Sequence, residues 1–302
     1  MYTYTLIDSD DRLTSLVAEW KGAAIDTVAM DFEGEFNLHI YGEHLCLIQL
    51  NDGDRFFLVD PFKVSMEAIK AFLEDGTIAK IMFDCASDSA LMRKQYGVQI
   101  ENICDLRIHA LALGHTGSLG SLVELYLGDV PKPNTGSKKK NQRTNWLTRP
   151  LRREQILYAL DDVAHLFALK EILEAEVEKK GLAAEVGEKM ASAGKKTKGE
   201  ERPAWSKFSS WKYLSKKEKT YLKHFFLARD TLAQKYNVPA VQILEKHNLL
   251  EMAKDVPATE GEFYIYCGKN GPHRSEELVD SLVKAKEAAA AELSAPAPQP
   301  GR

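Results

Sequence analysis

Between Thr27 and Val59 three short apolar runs follow one another with only turn residues between them: Thr27–Phe32, Leu45–Leu50 and Arg55–Val59. Runs this short, bounded by glycine and aspartate, read as strands rather than helices. Asp52, Gly53 and Asp54 form a hairpin turn signal and Pro61 stops the third run, so the three predict a β-meander. Met66–Leu73 changes to helical spacing, and Ala79–Phe83 returns to a strand. Thereafter apolar residues recur at three and four positions over Ser87–Tyr96, Asp105–Leu113, Leu119–Leu127 and Arg153–Lys180. A mixed sheet followed by helices that must cover it predicts an α/β domain over residues 1–180.

At 302 residues the chain is long for one core, and the remainder predicts a second domain. Residues 181–204, with two glycines, alternating charge and Pro203, read as a fraying helix end and a linker. Helical spacing resumes over 205–292 and predicts a small all-α domain. The Pro/Ala-rich residues 293–302 read as a disordered tail. The start of the sequence lacks a basic segment followed by an apolar stretch, and no run of eighteen apolar residues occurs, which together predict no membrane span. Cys46, Cys85, Cys104 and Cys267 lack CxxC spacing, which argues against a zinc site or a disulfide scaffold and for a cytoplasmic location.

The formal net charge is −4, but the positive charge is clustered. Lys138, Lys139, Lys140, Arg143, Arg149, Arg152 and Arg153 crowd one stretch; Lys195, Lys196 and Lys198 form another, and a third runs from Lys207 to Lys223. Such clusters fit either a basic face for nucleic acid or ordinary solvated surface.

The acids are more specific. Asp31 and Glu33 sit two apart at the end of a predicted strand, so both side chains leave one face; Glu35 shares that face and leaves an alternative register open. Adjacent carboxylates repel unless a cation lies between them, which points to a hard divalent metal ion. Asp88 falls near a helix start, with Asp84 as its competitor. Tyr158 and Asp162 are four apart on a predicted helix and share a face, while Asp161 is rotated away. Each pair taken alone also fits bland structural roles.

In this order, however, an Asp-x-Glu on an early strand, a later Asp at a helix start and Tyr-x-x-x-Asp on a late helix resemble the DEDDy 3′–5′ exonucleases, and bacterial RNase D more narrowly. The likeness runs from Tyr2 to Leu173 and includes Met30–Glu33, Leu45–Leu50, Lys80–Asp88, Gln142–Leu151 and Tyr158–Val163. It implies a ribonuclease-H-like mixed sheet flanked by helices. It further implies that Asp31, Glu33, Asp88 and Asp162 hold two Mg²⁺ or Mn²⁺ ions about the scissile phosphate, with Tyr158 orienting the attacking water. Lys139, Arg143 and Arg149 are candidates to meet the phosphate backbone. Trp146 is a candidate to stack on a base, although a packing anchor is the commoner role for such a tryptophan, and Phe32 and Leu47 are candidates to line a terminal-nucleotide pocket. The chain departs from the family at Phe83, where a histidine is usual, at Asn145, where an acid is usual, and in the Lys-rich stretch 132–140.

Over Phe226–Pro239, Ala240–Leu244, Asn248–Ala253 and Ser275–Ala285, with Gly268 between the last two, the second domain resembles the HRDC module. Lys212, Lys216, Lys219 and Lys223 make it a candidate nucleic-acid grip, and Tyr264 and Tyr266 fit either base stacking or core. The expected activity is metal-dependent trimming of structured RNA 3′ ends, such as tRNA precursors, with release of nucleoside 5′-monophosphates. A Werner-type DNA exonuclease and an inactive RNA-binding scaffold remain the alternatives.

Overall fold

A computed structural model of the chain describes residues 2–128, 130, 144–195, 202–267 and 272–295. The chain divides into two compact units, Met1–Glu35 with Glu43–Lys196, and Phe36–Gly42 with Thr197–Arg302.

The first unit is built on a six-stranded mixed sheet: β1 (Tyr4–Ile7), β2 (Thr27–Phe36), β3 (Glu43–Asn51), β4 (Phe56–Val59), β5 (Ala79–Met82) and β6 (Ile103–Asp105), in the order β1-β4-β3-β2-β5-β6. The expected meander is the contiguous trio β4-β3-β2, with Ile48 opposite Val59 and Leu50 opposite Phe57 in antiparallel register. β1 runs parallel to β4, and β5 runs parallel to both β2 and β6. Parallel neighbours require crossovers, and the helices that make them cover both faces.

On one face, Val28, Met30 and Phe32 of β2 pack with Leu13, Leu16 and Trp20 of α1 (Asp10–Gly22) and with Ile69, Phe72 and Leu73 of α2 (Met66–Leu73). On the other, Ala29 and Ile81 pack with α4 (Leu106–Ala112), α5 (Leu119–Leu127), α6 (Arg153–Ala164) and α7 (Leu166–Lys179). α3 (Ala86–Leu91) follows β5 and continues into a π-helical turn, Met92–Tyr96, that ends at left-handed Gly97 (φ 64°). This mixed sheet with flanking helices is the fold class expected.

Three expectations need correction. The single helix expected over Arg153–Lys180 is two helices, because the chain turns out of helix at His165 (φ −109°, ψ 0°). The stretch expected to be linker from residue 181 contains α8 (Ala183–Met190), whose Val186 is buried. Beyond it Arg93 and Gln99 donate to the Gly194 carbonyl. Gly194 is left-handed (φ 66°), a backbone conformation that strains any L side chain, and a Cβ there would also press on Ile103. The last helix runs to Ser294, into the stretch expected to be tail from 293.

The second unit packs α9 (Lys216–Tyr236), α10 (Ala240–Ile243), α11 (Lys246–Lys254), α12 (Glu260–Cys267) and α13 (Pro272–Ser294) around Leu222, Phe225, Leu249, Phe263 and Leu282. Ser215 and Glu218 form a capping box at the start of α9, and left-handed Asn237 ends it before Pro239. Tyr41 packs in this unit and donates to Asp230 at 2.7 Å. Among the described residues no helix is long and apolar enough to cross a membrane.

Candidate metal centre

Strand alternation decides which side chains of β2 meet. Val28, Met30 and Phe32 fill the core on one face, so Asp31, Glu33 and Glu35 leave from the other. Asp162 reaches the same place from α6. One carboxylate oxygen each from Asp31, Glu33 and Asp162 lies within 4.8 Å of the other two. Glu33 is buried and the other two are half-buried; Glu35 is buried as well but stands outside this group.

Tyr158, one helical turn before Asp162, hydrogen-bonds to it and senses the same charges. Burial raises its hydroxyl pKa far above the ordinary value, and the negative charges of Asp162, Glu33 and Asp31 raise it further. The ring is fixed by Trp146, with centroids 6.3 Å apart. The site therefore carries converging negative charge, hard oxygen donors and a hydroxyl that keeps its proton. That donor set fits Mg²⁺ or Mn²⁺, which favour carboxylate oxygen, and does not fit a thiophilic ion.

Asp88 lies in the first turn of α3 and stands outside the three-carboxylate group. Its pKa is pushed up to about 7, first by burial and then by the charges of Asp84 and Asp105. Asp84, its competitor, is exposed and left-handed (φ 63°) at the turn that precedes α3. Asp105 holds that turn: it is nearly buried and accepts from the backbone N–H groups of Asp84 (2.8 Å), Cys85 (3.1 Å) and Arg107 (2.9 Å). Sequence reading gave Asp105 no such role, although an aspartate just before an apolar helical run is a helix-cap signal. Asp161, rotated from Asp162, accepts the Tyr2 hydroxyl at 2.9 Å.

The expected substrate contacts fare unevenly. Lys139 and Arg143, like Gly268, lie outside the described residues. Arg149 has all five of its N–H donors committed: Nε and one Nη bond Asp60 at 3.0 and 2.9 Å, and the remaining donors meet the carbonyls of Trp146, Thr148 and Cys46. Its guanidinium also stacks over Phe62, 4.6 Å from the centroid. A guanidinium so engaged acts as a structural clamp, with each of its N–H donors already partnered within the protein. Trp146 is 1% exposed and Leu47 shares its cluster, so both pack here rather than present a stacking surface. Phe32 is buried on the face away from the acids. In the second unit Tyr266 packs against the core while Tyr264 is exposed. Lys212 and Lys219 lie over Tyr213 and Trp211, and Lys223 pairs with Glu292 at 2.9 Å.

Comparison with known proteins places both units in known families. Residues 4–178 match the 3′–5′ exonuclease domain family, and residues 218–295 match the HRDC domain. Ribonuclease D of Escherichia coli is 33% identical over 181 residues, covering 59% of this chain and 46% of that protein. Ribonuclease D of Granulibacter bethesdensis is 25% identical over 264 residues, covering 84% and 63% respectively. The chain thus spans less than two thirds of the length of these curated relatives. The crystal structure of E. coli RNase D, described as an exoribonuclease involved in structured RNA processing, superposes with a TM-score of 0.77 at 24% identity, covering 99% of this chain and 79% of that one. The catalytic core of RRP6 from Trypanosoma brucei gives 0.71 at 19% identity, covering 96% and 81%. At those identities the two superpositions speak for the fold alone.

Proposed function

The chain belongs to the 3′–5′ exonuclease family, and from that premise we propose that it is a metal-dependent exoribonuclease that trims the 3′ ends of structured RNA, tRNA precursors among them. The convergence of Asp31, Glu33 and Asp162 within 4.8 Å, with Tyr158 on the same spot, carries this reading. The ribonuclease D relatives favour RNA over DNA as substrate.

In this reading Asp31, Glu33, Asp88 and Asp162 would hold two divalent cations, Mg²⁺ or Mn²⁺. Cations held by these residues would supply Lewis acidity, which would make water nucleophilic at neutral pH and offset charge on the departing 3′-oxygen. Asp31, Glu33 and Asp162 set the position of that chemistry from two rigid elements, a central strand and a helix. Asp88, which stands outside the three-carboxylate group, would join them from the start of α3, whose preceding turn the Asp105 carboxylate fixes. Burial favours the protonated form of Tyr158, so it would act as an oriented hydroxyl that positions the water. The released product is a nucleoside 5′-monophosphate, and the setting is the cytoplasm.

Incubation with 3′-labelled single-stranded RNA and DNA in Mg²⁺, in Mn²⁺ and in EDTA tests the reading. Mononucleotides should leave the RNA only when metal is present. Faster release from DNA would favour the Werner-type alternative, and no release from either polymer would favour a scaffold.

A further inference from the structure

A second cluster lies in the same unit, and it has a different chemistry. Cys104 comes from β6, His109 from α4 and Glu174 from α7, and one donor atom of each falls within 4.8 Å of the other two. Sulfur, imidazole nitrogen and carboxylate oxygen together do not suit Mg²⁺, but they are the three ligand types that Zn²⁺ takes. We propose that Cys104, His109 and Glu174 form a zinc site, separate from the acidic centre, that staples β6, α4 and α7 together. The inference is independent of the proposed nuclease activity.

Three further features fit. His109 is nearly buried, and its Nδ1 faces the Asp105 carbonyl at 3.4 Å. A carbonyl can only accept, so Nδ1 carries the proton and Nε2 presents its lone pair for a metal, the usual arrangement for a ligating histidine. The three residues also line a cavity of about 300 Å³ with Val177, Val186 and Met190, so an ion has an entry path. Glu178, one helical turn beyond Glu174, lines the same cavity and can complete a fourth position directly or through water. Ligand bonds to zinc of about 2.0–2.3 Å place tetrahedral donors roughly 3.5 Å apart, so the cluster need tighten by only about 1 Å to close on the ion. Glu174 is paired with Lys170 at 2.7 Å, a partner that it can share or release at a half-exposed surface.

Spacing along the chain conceals the site. His109 lies five positions after Cys104 and Glu174 sixty-five positions after His109, with no CxxC or paired-histidine signal. Only the packing of α7 over α4 brings the carboxylate to the other two.

Co²⁺ makes the test specific, because only a cysteine ligand gives a thiolate-to-cobalt charge-transfer band in the near ultraviolet. Ions at the acidic centre give none. The untagged full chain, stripped with EDTA and titrated with Co²⁺, should develop that band at one equivalent and lose it when Zn²⁺ is added. Cys104→Ser should abolish the band while Cys46→Ser, with its thiol buried elsewhere, keeps it. Should Cys104→Ser fail to fold, Glu174→Gln at the half-exposed position is expected to weaken Co²⁺ affinity at this band by tenfold or more. Absence of the band in the wild type, its persistence in Cys104→Ser, or unchanged affinity in Glu174→Gln would each overturn the proposal.

Discussion

Replacing Arg149 by methionine separates a clamp from a phosphate contact. The guanidinium pairs with both oxygens of Asp60, whose side chain is 10% exposed against 26% for the arginine, and satisfies three backbone carbonyls. Methionine keeps much of the apolar stem but leaves the Asp60 charge largely desolvated, with only the Phe62 N–H among the described donors to meet it. Breaking a fully buried pair costs about 3–5 kcal/mol, and partial exposure here brings that to about 2–4 kcal/mol. With a denaturant slope of about 2–3 kcal/mol/M, the urea midpoint of this unit should fall by about 1 M. Asp60→Asn in a double-mutant cycle should recover part of the loss, with a coupling above about 1 kcal/mol. RNA affinity, measured on folded protein below the new midpoint, should stay unchanged. A midpoint that barely moves, together with weaker RNA binding and a shallower salt dependence, would refute the clamp and restore the phosphate contact.

Other perturbations test other parts. Tyr158→Phe keeps the ring against Trp146 but loses the hydroxyl on Asp162; the cleavage rate should fall by roughly tenfold to a hundredfold with Mn²⁺ affinity intact, and an unchanged rate would remove Tyr158 from the mechanism. Lys80 is buried with Nζ on the Asp75 carbonyl, and burial lowers its pKa from 10.5 to about 8. Between those values the unfolded chain holds a proton that the folded one lacks, so this group makes stability rise with pH over that window by at most about 3 kcal/mol. Lys80→Met should remove that rise from the difference between variant and wild-type melts; parallel curves would contradict it. Asp105→Asn places an amide donor against backbone N–H groups that need an acceptor, at a cost of about 2–3 kcal/mol. Hydrogen exchange at the Asp84 and Cys85 amides should quicken, and unchanged protection there would show that another contact holds the turn.

Periodicity made much of the fold legible. The meander strands and α2, α4 and α5 announce themselves by alternation or helical spacing and by the turn residues between them. β1 and β6 do not, because four and three residues are too few to show a period. His165 breaks a helix without a proline or glycine to mark it, and α8 is held in its unit by contacts of Val186 and Met190 that a charged, glycine-containing stretch does not advertise.

At the acidic centre, residues on one regular element were readable because strand and helix periods fix which side chains share a face. Asp31 with Glu33, and Tyr158 with Asp162, follow that rule. What those rules cannot supply is how elements approach one another. The partners of Arg149 could not be read for that reason: a basic cluster in sequence carries no sign of the buried Asp60 that pairs with it. Cys104, His109 and Glu174 went unread for the same reason, since each comes from a different element.

Single-turnover cleavage of a 3′-labelled RNA in Mg²⁺ by Asp162→Asn beside the wild type tests the acidic centre most directly. The substitution preserves size and removes one negative charge from the three-carboxylate group. A loss of about 4 kcal/mol of transition-state stabilisation corresponds to a rate about 10³-fold lower, and RNA should bind with its affinity retained. A rate within tenfold of the wild type, on protein shown to be folded, would contradict a metal centre built on Asp31, Glu33 and Asp162.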